Sequence, residues 1–334
     1  MDDVSLVTGG AGFLGSHVVE ALAARGERVV VLDDLSGGFA DNVPAGVRLV
    51  HGSILDHGLI DTMFREDRIR RVYHLAAYAA EGLSHFIRRF NYQNNLIGSI
   101  NLINASVNHA VECFVFTSSI AVYGPNQLPM HEDLVPMPED PYGIAKLAVE
   151  RDLHACHAQF GLPYVIFRPH NVYGERQNLG DKYRNVIGIF MNQIMRGEPM
   201  TIFGDGRQTR AFTYASDIAP IIADAAFRET AHDQVFNVGA DTPYEVRVLA
   251  ERVAAAMGVE PRIRLVEARN EVVHAYSSHE KVREYFDCPP ETPLDDGLAR
   301  MATWAWSVGA RQSQQFGEIE IPCGLPASWS GAGS

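Results

Sequence analysis

The stretch from Val4 to Asp33 does most to limit what this chain can fold into. Val4–Thr8 is a short apolar run ending in glycines, Ser16–Arg25 follows with helical periodicity, and Arg28–Asp33 is a second apolar run. Strand, glycine-rich turn, helix and strand in so short a span make one mononucleotide-binding unit. Gly9, Gly12 and Gly15 fill the turn. Glycine permits the tight bend and lets the backbone approach a pyrophosphate, while the helix amino terminus offers N–H groups and a positive dipole end. The turn therefore points to a dinucleotide. Asp33 ends the second strand, 18 residues after Gly15. A carboxylate there accepts hydrogen bonds from ribose hydroxyls and repels a 2′-phosphate. Asp34-Leu35-Ser36-Gly37 supply no arginine to hold that phosphate, so NAD is expected rather than NADP.

Further strands are expected at Val47–His51, Val72–Leu75, Cys113–Thr117 and Tyr164–Arg168, with helices near Leu59–Glu66, Asn91–His109 and Pro141–Phe160. That alternation implies an α/β fold, a doubly wound parallel Rossmann sheet. After Arg168 the pattern loosens into helices at Val186–Arg196, Ala215–Phe227 and Val246–Met257 and short strands at Thr201–Phe203 and Val235–Val238. We expect a nucleotide-binding domain over residues 1–170, with a return segment near 235–240. A smaller mixed α/β substrate-binding lobe would follow over 171–312, then a Gly-, Pro- and Ser-rich tail over 313–334 whose last residues are mobile.

Twenty-eight Lys and Arg against 41 Asp and Glu leave a net charge of −13. That balance argues against nucleic acid or an anionic membrane as partner. Cys113, Cys156, Cys288 and Cys323 are scattered without metal-ligand spacing, so no metal site and reduced thiols are expected. No signal-like segment precedes the first strand, and no apolar run reaches the roughly 18–20 residues that cross a bilayer. A soluble cytoplasmic protein is the expectation.

The chemistry is carried by Ser119, Tyr142 and Lys146. Ser119 ends an apolar strand, which places it at the carboxyl edge of the sheet where ligands bind in such folds. Tyr142 and Lys146 lie four apart on a helix and share a face. Asp140 and Pro141 suit the cap and first position of that helix, setting Tyr142 in its first turn. An ammonium near the phenol, with a positive nicotinamide ring, would pull the tyrosine pKa down from about 10. Such a tyrosine moves a proton on or off a substrate hydroxyl while a hydride passes to or from the cofactor.

These motifs together resemble those of the extended short-chain dehydrogenase/reductase superfamily, more narrowly its NAD-dependent nucleotide-sugar epimerases and dehydratases. The likeness runs from Val4 to about Trp306 and rests on the Thr8–Gly15 turn, Asp33, His74-Leu75-Ala76-Ala77 and Asn95 to Gly98. It continues through Ser119 with Val122-Tyr123-Gly124, Tyr142 with Lys146, Arg168 to Gly174, and Phe203 to Gly206 with Arg210 and Asp217. The resemblance implies that Gly9, Gly12, Phe13, Leu14, Gly15, Asp33, Asp34, Ser36, Leu75, Ala76, Ala77, Asn95, Tyr142 and Lys146 bind the cofactor. Ser53 and Ile54 would flank the adenine; relatives often carry an acidic residue where Ser53 stands. Ser119, Tyr142, Asn171, Asn185, Arg210 and Arg269 would meet a nucleotide-sugar substrate, with His279 setting the room around the sugar. Arg176, Lys182, Arg184 and Arg207 join Arg210 in concentrating positive charge in an otherwise acidic chain, and guanidinium groups suit phosphate.

Dehydratases of this kind carry an Asp-Glu pair after the residue matching Ser119. Ile120 and Ala121 stand there instead and cannot move protons, which favours epimerisation at C4. UDP-glucose/UDP-galactose is the leading pair. UDP-glucuronate, N-acetylhexosamines, a pentose or another nucleotide stay open, as do a 3,5- or 2-epimerase, a reductase, a decarboxylase and a non-catalytic NAD-binding module. The resemblance also implies a homodimer through the helices Asn91–His109 and Pro141–Phe160, with Val149, Leu153 and Cys156 as contacts.

Overall fold

Val4–Thr8 (β1) is buried at every residue, as a strand covered by helices on both faces must be. The computed structural model describes residues 3–125, 127–268, 272–312, 316–327 and 329. From the amino terminus come β1, α1 (Phe13–Ala24), β2 (Arg28–Asp33), β3 (Arg48–His51), α2 (His57–Glu66), β4 (Ile69–His74), α3 (Glu81–Ser84) and α4 (Arg88–Tyr92). Next are α5 (Gly98–Asn108), β5 (Cys113–Thr117), α6 (Pro141–Phe160), β6 (Tyr164–Pro169), β7 (Val172–Tyr173), α7 (Val186–Met195), β8 (Met200–Phe203), β9 (Thr209–Ala211) and β10 (Thr213–Tyr214). The chain continues through α8 (Ala215–Asp224), β11 (Gln234–Val238), β12 (Pro243–Glu245), α9 (Val246–Ala256), β13 (Ile263–Val266), β14 (His274–Ala275), α10 (Glu280–Tyr285) and α11 (Leu294–Val308).

Seven strands form one parallel sheet in the order β11-β6-β5-β4-β1-β2-β3. The return segment does rejoin it: β11 pairs with β6 from Gln234↔Val165 to Val238↔Pro169. Successive side chains of a strand face opposite ways. Val7, Val31, Tyr73, Val115 and Phe167 therefore pack with α1 and α8, whereas Leu6, Leu32, Val72, Phe114 and Ile166 pack with α2, α5 and α6. Each such side chain contributes roughly 1.5–3 kcal/mol by leaving water. A third core, built on Phe190, Met191, Leu249, Val253 and Leu298, holds the smaller lobe.

Helix α6 starts as its residues dictate, with Asp140 Oδ1 accepting from Gly143 N at 2.9 Å and Pro141 at the first position. It ends on Gly161 in the left-handed conformation, φ +73°. The expected helix Asn91–His109 is instead α4, a π turn over Gln93–Ile97 and α5. Inside that turn Asn95 takes a hydrogen bond from Tyr78 N and donates to Asn91, an inward use of polar side chains that a regular amphipathic helix would not make. Val149, Leu153 and Cys156 are buried against the sheet of their own chain, so they are not free to contact a second subunit.

Of the tail, residues 313–315, 328 and 330–334 lie outside the described residues, and the last residues, expected to be mobile, are among them. The described part of the tail is docked. Phe316 packs on Tyr78 and Phe90, Trp329 on Phe86 and Tyr183, and the Glu320 carboxylate accepts from Arg89 N and Phe90 N at 2.8 and 2.9 Å. No helix among the described residues is long and apolar enough to cross a membrane.

Candidate active site

The carboxyl ends of β1, β2, β4, β5 and β6 open onto a cleft of about 480 Å³, closed on its far side by the smaller lobe. Its floor begins at the glycine turn. Gly9 has φ +71°, and a Cβ there would lie 2.7 Å from the Ala76 backbone. A methyl on Gly15 would stand 2.0 Å from the Gly9 carbonyl oxygen, and one on Gly38 2.4 Å from that of Ala11. The turn is thus a cradle that side chains would fill. Asp33 sits beside it, Oδ2 accepting from Ala11 N at 2.9 Å and Oδ1 from Leu35 N at 2.8 Å. Burial pushes the Asp33 carboxyl upward, and these backbone donors oppose the shift. Each oxygen keeps lone-pair capacity for a ribose hydroxyl. Replacing Gly15 by alanine should abolish NAD retention, measured as cofactor released on denaturing the purified protein. Wild-type occupancy in Gly15→Ala would contradict this role.

Farther along the cleft, Ser119 follows β5 with an extended backbone and its Oγ accepts from Ala121 N at 3.1 Å. Tyr142 lines the same cleft from the first turn of α6. Burial drives the Tyr142 phenol well above its ordinary pKa; Ser119 opposes this, Asp140 and Glu81 add to it, and Arg184 opposes it. Lys146 Nζ donates to the Thr117 carbonyl at 2.8 Å and lies 5.8 Å from the Tyr142 ring centroid. Burial lowers the lysine to about 7, with the Glu150 carboxylate resisting. The phenol is not lowered as expected: burial outweighs the opposition of Ser119 and Arg184, and the phenol rests protonated.

Phe13, Leu14, Asp34, Ser36, Ile54, Leu75, Ala76, Ala77, Asn171, Asn185 and Arg210 line this cleft. Asn171 and Asn185 adopt φ of +41° and +61°, conformations open to asparagine but strained for most residues. Arg210 donates to the carbonyls of Thr209, Val272 and Val273. Three expected residues are not on the wall. The Ser53 hydroxyl turns back to Leu55 N, and Gly52 and Ile54 face the cleft instead. Asn95 is buried behind Tyr78, whose backbone it holds at both N and O. His279 lies behind His170, and Ala275 occupies the cleft wall nearby. Arg269 lies outside the described residues.

Sequence reasoning gave no role to Glu81, His85 or Ala275, all of which line the cleft. Arg184, seen only as one charge among several, also lines it; it pairs with Asp181 and lies over the Tyr78 ring at 4.5 Å. Arg176 and Arg207 point elsewhere, to Glu20 and Asp205.

Residues 5–239 match the model of the NAD dependent epimerase/dehydratase family. The chain belongs to that family. It is 33% identical over 318 residues to a UDP-glucose 4-epimerase of Halalkalibacterium halodurans, covering 90% of this chain and 94% of that one. Among solved structures it superposes on a UDP-glucose 4-epimerase of Thermotoga maritima bound to UDP-glucose. That pair has a TM-score of 0.86 and 32% identity, over 91% of this chain and 99% of that chain. A Bacillus cereus UDP-glucuronic acid 4-epimerase in complex with UDP-glucuronic acid and NAD gives a TM-score of 0.83 and 27% identity, over 91% and 99% of the two chains. The enzyme is thus an NAD-dependent one.

Proposed function

We propose that this enzyme is a nucleotide-sugar 4-epimerase that interconverts UDP-glucose and UDP-galactose. The observation that carries the reading is the setting of the Ser119–Tyr142 pair. It stands in the cleft beside Ile120 and Ala121, which offer no acid or base for expelling water from the sugar. NAD, held by the Gly9–Gly15 turn and Asp33, would supply the acceptor and donor of the C4 hydride. Tyr142, once its phenol has lost its own proton to solvent, takes the proton of the 4-hydroxyl, Ser119 holds that oxygen in line, and the same phenol later returns the proton. Asn171, Asn185 and Arg210 grip the diphosphate, so the 4-ketosugar turns about its phosphate linkage without leaving. Binding is thereby invested in the part of the substrate that does not react. Glu81 favours a neutral hexose over a uronate, because its carboxylate lines the same cleft and its charge is felt at Tyr142. Ala275 presents only a methyl group to the wall.

The test is NMR of UDP-glucose with the NAD-loaded enzyme in deuterated water. UDP-galactose free of ring deuterium is the expected product. Deuterium on a ring carbon would mean deprotonation at carbon and overturn the hydride mechanism. Turnover of UDP-glucuronate or an N-acetyl sugar but not UDP-glucose would overturn the choice of sugar.

A further inference from the structure

His170 and His279 form a buried pair at the back of the cleft, 2% and 1% exposed. Their Nε2 atoms are 3.0 Å apart, while the ring centroids are 5.1 Å apart and the planes differ by 26°. The rings therefore meet edge to edge through these nitrogens. His170 Nδ1 lies 3.1 Å from the Ala211 carbonyl oxygen, and His279 Nδ1 lies 2.6 Å from Asp241 Oδ1. The other Asp241 oxygen takes Arg283 at 2.5 Å. The hydrogen bond from His279 and the Arg283 guanidinium bring the Asp241 carboxyl down to about 2 against its partial burial, so it is an anion.

The protons in this row can be counted. A backbone carbonyl and an ionised carboxylate only accept. Ala211 O to His170, His170 to His279, and His279 to Asp241 are three contacts, and each needs its own proton. Two neutral imidazoles carry one N–H each. One contact is then left with two lone pairs facing each other. Ser277 Oγ, 3.1 Å from His279 Nε2, does not remove the conflict. A proton donated from the serine would still leave the two Nε2 lone pairs opposed.

We propose that His170 and His279 share one extra proton, an imidazole–imidazolium pair balanced by Asp241, and that this proton positions the substrate-holding turn and strand. Asp241 Oδ1 faces His279 Nδ1 at 2.6 Å, which puts the added charge on His279, next to the carboxylate, while burial disfavours a charge on His170. The pair ties together four segments of the site. His170 and its neighbour Asn171 both donate to the Ala211 carbonyl, at 3.1 and 3.2 Å, and Ala211 follows Arg210 on β9. Gly239 leaves room for the pair: a Cβ there would lie 2.5 Å from His170 Nε2 and 2.6 Å from Thr213 Oγ1. The charged groups facing the pair are Asp241 and, through it, Arg283, with Asp217 and Glu291 lining a cavity that His279 borders. The Ser277 and Thr213 hydroxyls and the Ala211 carbonyl are uncharged. Lys281 on α10 turns to the Phe236 ring, and Arg210 is engaged by the Thr209, Val272 and Val273 carbonyls.

Loss of the proton at high pH sets two acceptors against each other and loosens the Asn171 turn from β9. Substrate affinity should then fall with rising pH while the chemical step is spared, a consequence that rests on the function proposed above. The test labels the histidine ring nitrogens with 15N in the NAD-loaded enzyme and follows them by NMR against pH. At neutral pH both His279 nitrogens should carry protons, and His170 should be protonated at Nδ1 only. Asp241→Asn removes the counter-charge and should move the titration to lower pH. Arg283→Gln removes an opposing charge and should move it up. Both side chains are half exposed, so neither change disturbs the core. Two neutral imidazoles at neutral pH, or a titration unmoved by both variants, would overturn the shared proton. KM for UDP-glucose should rise through the same titration with kcat little changed, and a flat KM would overturn the positioning role. An enzyme inactive on UDP-glucose would refute the sugar assignment, while the NMR still decides the proton.

Discussion

Replacing Tyr142 by phenylalanine is expected to remove turnover almost completely while NAD stays bound. The change deletes one oxygen from a side chain that is 7% exposed and leaves its ring in place, so the fold and the cofactor cradle should be undisturbed. What is lost is the group proposed to exchange the proton of the reacting hydroxyl, worth about 10²- to 10⁴-fold in rate. Ser119 cannot replace it, since a serine hydroxyl is a far weaker acid and here already accepts from Ala121 N. Burial holds the Tyr142 phenol protonated in the resting cleft, so its proton must leave under the pull of positive charge. Lys146, with its Nζ 5.8 Å from the ring centroid, is the nearest such charge on α6. Two measurements check the expectation: kcat on UDP-glucose, and cofactor content after denaturation. Activity within tenfold of wild type would remove Tyr142 from the mechanism. Loss of NAD along with activity would mean that the phenol's role is binding.

The half that carries the large parallel sheet was legible because its signals are local. A five-residue buried strand, three glycines and a following helix are contiguous, and each has a reason to occur where it does. The Asp140 cap and the Tyr142–Lys146 spacing are local in the same way. The smaller lobe is built from contacts that sequence order hides. Thr209–Ala211 is only three residues long, yet it pairs antiparallel with Pro243–Glu245 and parallel with His274–Ala275. Strands so short show no readable alternation. Depth was equally invisible. His279 and Ala275 are four residues apart, and only the fold decides that the alanine meets the cleft while the imidazole turns inward to His170 and Asp241. The same holds for Asn95, whose amide secures the backbone of Tyr78 instead of facing the cofactor.

A second large effect is expected behind the proposed catalytic residues, at Glu150. Its carboxylate accepts from Ser118 Oγ at 2.5 Å and Arg168 Nε at 2.9 Å on one oxygen, and from Arg168 Nη2 at 2.5 Å on the other. Both side chains of the pair are nearly fully buried, and the guanidinium lies 4.7 Å from the Tyr123 ring centroid. Taking the charge from one partner leaves the other uncompensated, which costs about 3–5 kcal/mol. Glu150→Gln should therefore lose stability of that order in urea denaturation. Because a buried pair gains little over apolar packing, Glu150→Leu combined with Arg168→Met should recover most of it. Activity should not follow. Glu150 stands one helical turn beyond Lys146, and its charge sustains the lysine's proton against burial. Without it the Lys146 pKa falls further below about 7, less of the ammonium is present at neutral pH, and the pull on the Tyr142 proton weakens. The double variant should thus be stable and slow, with kcat restored only toward lower pH, where the lysine is again protonated. If kcat returned together with stability at neutral pH, the pair would be a packing element with no electrical hold on the active site.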